Sequence, residues 1–416
     1  MSSVEINVYH DGCSLLDIHE EIKLSINESN LCQGNKVSFV GIITSKEKCA
    51  VFLPKRYKFK VEENPRKDAK NILNLLTKYQ ASHKYDQKLF GLEDQVNVEM
   101  LTTLSNYRIL LDFYREKGLY RRRTTRENKY GRGRINWSKT TKNETPILVN
   151  DDSPVYIQYH TTYAVNKEVS SIVSIQKYFT ALADSLIGWI FTESNAQVLY
   201  PELALSLISP PGTKNFMLHQ LMKERSQVFD NDRLRLLTAL ISILENKSSS
   251  TTNNQTIGVK YFWPIWEASL KVSFNDSSKK VLETLPVPSY QYEAGSKIAP
   301  STLIPDIVIF KDEDIILLDA KYYDTENTLP SWQDIIKQSF YKNTLEKITG
   351  KRVVLNAFVF PGEKNRSTPL SVHIKKRTEN EAFDNDLYPE IQCLYYSVKD
   401  VISYYLADKE DTEFFS

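Results

Sequence analysis

The chain is poor in cysteine: four in 416 residues, at positions 13, 32, 49 and 393. No two form a CxxC pair and no histidine cluster lies beside them, which argues against a zinc site and against a disulfide framework. A chain of this length buries a full core without cross-links, so a reducing compartment is the simplest expectation. Histidine is also sparse. His10, His19, His83, His160, His219 and His373 are scattered, with neither metal-binding nor HNH spacing. An excess of one charge is missing as well, since 53 Lys+Arg against 52 Asp+Glu leave a net charge of +1. Any electrostatic footprint must therefore be local. Long apolar runs are lacking. The most apolar stretch, residues 171–191, is interrupted by Lys177 and Asp184 and fits a buried amphipathic helix better than a membrane span. The opening MSSVEINVYHDG carries acid and no apolar core, unlike a signal peptide. A soluble cytoplasmic protein is expected. Finally, SPPGTKNF (209–216) has Ser209 where a phosphate loop needs its first glycine, so no nucleotide-driven motor is expected in this chain.

What is present changes character along the chain. Residues 4–62 alternate Val, Ile, Phe and Tyr with short polar breaks and predict strands and hairpins. Helical spacing follows over 65–83 and 97–117, with Gly118 as a stop. Residues 115–142 hold eleven Lys and Arg against Glu116 and Glu127, and their polar texture predicts loops or a flexible hairpin. A strand is expected over 154–163, then helices over 166–192, 213–225 and 230–246. SSSTTNNQT (248–256) reads as a linker. Beyond it come a short helix (264–274), two apolar strands, a helix from Ser331 to 348, the strand RVVLNAFVFPG and a last helix over 396–407. That order describes a compact α/β unit from about 257 to 416, within a chain that is α+β overall. Three segments are expected: 1–165, β-rich and helical; 166–256, helical; and 257–416.

The stretch PDIVIFKDEDIILLDAKYY (305–323) carries three charges in odd places. Its two apolar runs read as strands with KDED as the turn. Alternation puts Asp319 and Lys321 on one face and Leu318 and Ala320 on the other. If the strands pair, Asp306 returns beside Asp319. Two carboxylates in a poorly solvated place repel each other, and a divalent cation relieves that. Hard oxygen ligands suit Mg²⁺. A neighbouring lysine can hold or help deprotonate a metal-bound water and offset charge on an attacked phosphate. From the hairpin alone, strand-end residues on an exposed face explain the charges equally well.

The pattern Pro305-Asp306 … Asp319-Ala320-Lys321 resembles the PD-(D/E)xK nuclease signature. DIIKQSFYKNT places Gln338 and Tyr341 three apart, similar to the QxxxY helix of many such nucleases but one residue shorter. WPIWEASL resembles the helix that supplies a further acid, here Glu267. Beyond this core, GRGRINWSKT (131–140), a helix from about Asn166, NDRLRLLTALI (231–241), WE, PDIVI and LDAKYY follow an order that resembles McrC-like proteins. FVGII…VFLPK and YRRR…GRGRINWSKT look most like the LlaJI branch of that group.

The resemblance implies a PD-(D/E)xK restriction-endonuclease-like mixed sheet flanked by helices over 257–416. It implies a Mg²⁺-dependent (Mn²⁺ also accepted) DNA endonuclease subunit of an antiviral restriction system. Its implied partners are double-stranded DNA and an McrB-like AAA+ GTPase, and pairing of two nuclease domains during cleavage stays open. Carried over, Asp306, Asp319, the Ala320 backbone carbonyl and Glu267 would hold the metal. Lys321 would orient water, and Gln338 and Tyr341 would brace the strand or touch DNA. Asp319 stands where many relatives carry Glu, and both are accepted. A stand-alone repair or mobile-element nuclease and a non-catalytic adaptor that stimulates an AAA+ NTPase are the alternatives. For the basic segment, Arg121, Arg122, Arg123, Arg126, Arg132, Arg134 and Lys139 suit phosphate contacts or docking on the partner, with Trp137, Tyr120 and Tyr130 able to stack or to pack. A solvated face is the third reading.

Overall fold

A computed structural model describes residues 5–44, 48–59, 65–83, 98–129, 131–149, 153–192, 198–246, 255–292, 295–298, 303–377 and 387–415. Two compact units emerge, one from Met1–Leu104 with Thr251–Ser416 and the other from Ser105–Ser250. These cuts differ from boundaries near 165 and 256, because a late strand pairs with the first unit's opening sheet.

The first unit begins with β1 (Glu5–His10), α1 (Glu20–Glu28), β2 (Val40–Thr44), β3 (Lys48–Leu53) and α2 (Pro65–His83). β2 and β3 form an antiparallel pair, and β1 lies parallel to β3. Ile22 and Ile26 of α1 pack on Phe39, Ile43, Ala50 and Phe52, so the alternation read in the sequence marks a true core face.

The second unit is reached along α3 (Val98–Lys117). It contains β4 (Arg121–Lys129), β5 (Arg134–Ile135), α4 (Trp137–Asn143), β6 (His160–Glu168), α5 (Ser170–Ala183), α6 (Lys214–Arg225) and α7 (Asn231–Asn246). Here three expectations fail. The basic segment is not loop: β4 pairs antiparallel with β6 along its whole length, from Arg121 opposite Glu168 to Lys129 opposite His160, and β5 pairs on the other side of β6. RRRTTRENK has no apolar face, so periodicity is silent about it, and its pairing partner lies far along the chain. For the same reason residues 166–168 belong to β6 and the helix starts only at Ser170. The single strand expected over 154–163 is two, Ser153–Val155 and the start of β6. Of the expected linker, 248–254 lie outside the described residues and 255–256 open the next strand.

That strand, β7 (Gln255–Val259), pairs with β2 and completes a sheet of order β1-β3-β2-β7. Gly41 sits opposite Gly258 in this pair. A Cβ on Gly41 would stand 2.2 Å from the Ile257 carbonyl oxygen, and the residue's φ of +152° suits glycine alone. Then follow α8 (Trp263–Ser273), β8 (Ile307–Lys311), β9 (Asp314–Ala320), α9 (Trp332–Thr349), β10 (Arg352–Pro361), β11 (Ser371–Val372), β12 (Ile391–Tyr396) and α10 (Val398–Ala407). They build a mixed sheet of order β8-β9-β10-β12-β11. β8 and β9 are an antiparallel hairpin, whereas β9, β10 and β12 run parallel. Parallel neighbours need a crossover, which α9 supplies between β9 and β10. Its start is fixed by a capping box of Ser331 and Asp334 and its end by Gly350 at φ +70°. Val308, Ile315 and Leu317 pack on Tyr341 and Leu345 of α9. The whole is an α+β protein. Among the described residues no helix is long and apolar enough to cross a membrane.

Candidate active site

The hairpin β8–β9 brings its charges together as alternation requires. Ile307 pairs with Leu318, so Asp306 and Asp319 are the next cross-strand pair. They lie on the face that carries Val308 and Leu317. Asp306 Oδ2 accepts a 2.8 Å hydrogen bond from the Ala320 N–H, which ties the first carboxylate to the backbone beside the second. The Lys321 N–H donates to the Val359 carbonyl oxygen at 3.0 Å and seats the lysine backbone on β10. Its ammonium lies 2.7 Å from Asp319 Oδ2 and 2.7 Å from Asp334 Oδ1. The Asp334 contact is a hydrogen bond. The Asp319 contact is close but off the hydrogen-bond direction, leaving Asp319 Oδ2 buried with a charge neighbour and no donor aligned on it.

Glu267 comes from α8, whose buried side is Pro264, Ile265, Trp266, Ala268, Ser269 and Leu270. Lys271, one helical turn on, pairs with Glu267 at 2.6 Å. The turn after α8 carries Asp276, whose Oδ1 accepts from the Val308 and Ser278 N–H groups at 2.9 Å. That carboxylate caps the backbone edge of β8.

These neighbours set the charges. Burial, then Asp319, then Glu267 push Asp306 well above the ordinary aspartate range. Asp319 is also raised, chiefly by burial, despite the opposing pull of Lys321. For Lys321 burial opposes the charge, but Asp319 and Asp334 together outweigh it and the pKa rises. Asp334 shifts down, because hydrogen bonds from Lys321 and Ser331 outweigh its burial. Lys271 rises on the same balance, with Glu267 as main partner and Asp306 adding to it. The site is two repelling aspartates flanked by two charged lysines.

The residues fit a divalent cation in kind. Asp306, Asp319 and Glu267 are all-oxygen donors, each raising or feeling the charge of the others, and Asp319 Oδ2 is a buried acceptor without a donor. As they stand, Asp319 and Glu267 are turned to lysines. Among the described residues no three acidic, histidine or cysteine side chains are gathered tightly enough to hold a metal without rearrangement. Gln338 and Tyr341 are buried and spend their hydrogen bonds on backbone. Gln338 Nε2 donates to the Ala357 oxygen at 3.4 Å, and Tyr341 Oη donates to the Ile304 oxygen at 3.0 Å. These bonds tie α9 to β10 and to the loop before β8.

Three residues escaped the sequence reading. Asp334 was visible only as the fourth residue of an S-x-x-D cap, Lys271 only as an i,i+4 partner of Glu267, and Asp276 gave no signal. The loop after Lys321 is also held by the turn that follows β3 in the same unit. Tyr322 Oη accepts from the Lys55 N–H at 2.8 Å, and Arg56 Nη2 lies 2.6 Å from Asp324 and 2.7 Å from Glu326.

In the second unit the basic residues divide. Arg122 places Nε and Nη2 on the two oxygens of buried Glu224, which also accepts from Tyr120 Oη, so Arg122 and Tyr120 root β4 in the core. Lys139 pairs with Glu127. Arg121, Arg123, Arg126, Arg132 and Arg134 are exposed, and Trp137 is 57 % exposed. Tyr130 lies outside the described residues.

Comparison with known proteins adds the family. A model of the LlaJI restriction endonuclease matches residues 39–373. The chain belongs to the LlaJI restriction endonuclease family. The match covers β2, β3 and β7 of the opening sheet, the whole second unit and the β8–β9 hairpin. Among curated proteins this family member is similar to the Type II restriction enzyme BsuMI component YdjA of Bacillus subtilis strain 168, 24 % identical over 392 residues, covering 89 % of this chain and 81 % of that one. Among solved structures it is similar to a chain of the refined half-complex from a tetradecameric assembly of Thermococcus gammatolerans McrB AAA+ hexamers with bound McrC. That match has 13 % identity and a TM-score of 0.37 over 97 % of this chain and 98 % of the other.

Proposed function

We propose that this member of a restriction endonuclease family is a Mg²⁺-dependent DNA endonuclease subunit of the PD-(D/E)xK kind, acting in the cytoplasm in antiviral restriction. The observation that carries the reading is the convergence of Asp306, Asp319 and Lys321 at one end of a mixed sheet. Asp306 and Asp319 would hold the cation (Mg²⁺, with Mn²⁺ as a substitute), together with the Ala320 carbonyl and with Glu267 once it leaves Lys271. Held there, it would supply Lewis-acid polarisation of a phosphate and acidification of a water. Lys321, paired with two carboxylates, is an ammonium. It would donate hydrogen bonds to a water and offset charge on the phosphate.

A partner that supplies NTP hydrolysis fits the chain. It lacks a GxxxxGK[ST] loop of its own, and its motif order resembles McrC-like proteins, which work with an AAA+ GTPase. The Bacillus relative's name, a component of a restriction enzyme, accords with a subunit role. The exposed arginines of β4 and β5 are suited to DNA phosphates or to the partner. The test is cleavage of double-stranded DNA in Mg²⁺, with and without the NTPase encoded beside the gene and GTP. Wild type should cut and Lys321→Ala, folded to the same extent, should not. Equal cutting by the two would remove the site assignment.

A further inference from the structure

We propose that Asp334 is the positioning residue for Lys321, receiving the lysine's charge when a cation takes Asp319. The inference rests on the nuclease reading and extends it to a residue outside the signature. Lys321 Nζ stands midway between two carboxylates, 2.7 Å from each, with only 16 % of its side chain exposed. An ammonium this enclosed needs a partner at all times. While Asp319 is free it has two. When Asp319 turns its oxygens to a cation, Asp334 Oδ1 is the carboxylate that remains, already aligned as a hydrogen-bond acceptor.

Asp334 is itself held rigidly. Its Oδ2 accepts from the Ser331 N–H at 2.9 Å and from Ser331 Oγ at 2.6 Å, closing the capping box that starts α9. One oxygen thus locks the helix start and the other locks the lysine. The same helix carries Gln338 and Tyr341, whose bonds fasten it to β10 and to the chain just before Asp306. The placement of Lys321 is therefore transmitted from the sheet through the first turn of α9, and not set by β9 alone. Without Asp334 a cation would have to compete with the full Lys321–Asp319 pair and leave an enclosed ammonium unmatched.

The experiment compares Asp334→Asn, Asp334→Glu and Ser331→Ala with wild type and Lys321→Ala. It reads Mg²⁺ binding by titration calorimetry, DNA cleavage and thermal melting. Asn has one acceptor oxygen, so it cannot both keep the cap and hold the lysine. Asp334→Asn should weaken Mg²⁺ binding about tenfold and cleavage by about 10–100-fold. Asp334→Glu, which carries the usual capping-box acid, should recover most of both. Ser331→Ala, which keeps the Ser331 N–H on Asp334 Oδ2, should lower the melting temperature by about 2–4 °C and weaken Mg²⁺ binding and cleavage clearly less than Asp334→Asn does. The positioning role is overturned if Asp334→Asn binds Mg²⁺ and cuts like wild type, or if Ser331→Ala loses as much of both. Full cleavage by Lys321→Ala, or no Mg²⁺ binding by wild type, overturns the nuclease reading and this inference with it.

Discussion

Asp306→Asn separates what the site costs from what it does. In the metal-free protein Asp306 faces Asp319 as a cross-strand pair, where side chains stand about 5 Å apart. Two unit charges at that distance repel by about 3 kcal/mol at an effective dielectric constant near 20. Lys321 and Lys271 offset part of this, so removing the Asp306 charge should return about 1–2 kcal/mol. Asn retains the oxygen that accepts from the Ala320 N–H. In a unit of this size that gain is a rise of about 2–6 °C in melting temperature. The pH dependence fixes the cause. The folded-state pKa of Asp306 is raised, so its contribution favours the fold below the ordinary aspartate pKa of 3.8 and is lost as pH rises through the raised value. The advantage of Asp306→Asn should therefore be absent near pH 4 and grow as pH rises. The assay is a melting series from pH 4 to 8, run with EDTA and with Mg²⁺. Mg²⁺ should stabilise wild type by linkage and leave the variant unmoved, and the variant should not cut DNA. A variant that melts below wild type at pH 8, or whose gain is the same at pH 4, would refute the electrostatic account.

Two further predictions concern the rest of the first unit. Asp11 is buried 4.0 Å from Lys55, and burial lifts its pKa from 3.8 to about 6. Because the folded value is raised, its stabilising share is complete below about pH 4 and lost as pH rises through about 6. Above that, ionised Asp11 costs up to about 3 kcal/mol, so Asp11→Asn should raise the melting temperature at pH 8 and not at pH 4, in the same calorimetric series. Gly41→Ala drives a Cβ to 2.2 Å from the Ile257 oxygen at φ +152° and should cost about 3 kcal/mol or more. Gly34→Ala, with φ +61° and nothing within 4 Å, should cost only about 1–2 kcal/mol. Equal denaturant midpoints for the two glycine variants would contradict the steric reasoning.

The sequence by itself determined the β8–β9 hairpin. Strand alternation has a period of two, so two apolar runs around a tight turn leave Asp306, Asp319 and Lys321 one place to converge. Helices with amphipathic faces, such as α7 and α10, were legible for the same reason, since their burial is written in local periodicity. Only tertiary structure decided the rest. The arginine-rich β4 has no apolar face, so its strand character comes from β6, which follows far along the chain. β7 joins the opening sheet because Gly41 and Gly258 let two backbones meet, a fact about two distant residues at once. Asp334 and Lys271 were unremarkable helix residues until folding set one beside Lys321 and the other beside Glu267. Local pattern specifies which face a side chain takes. Which charges meet across that face depends on pairings between segments that no local pattern records.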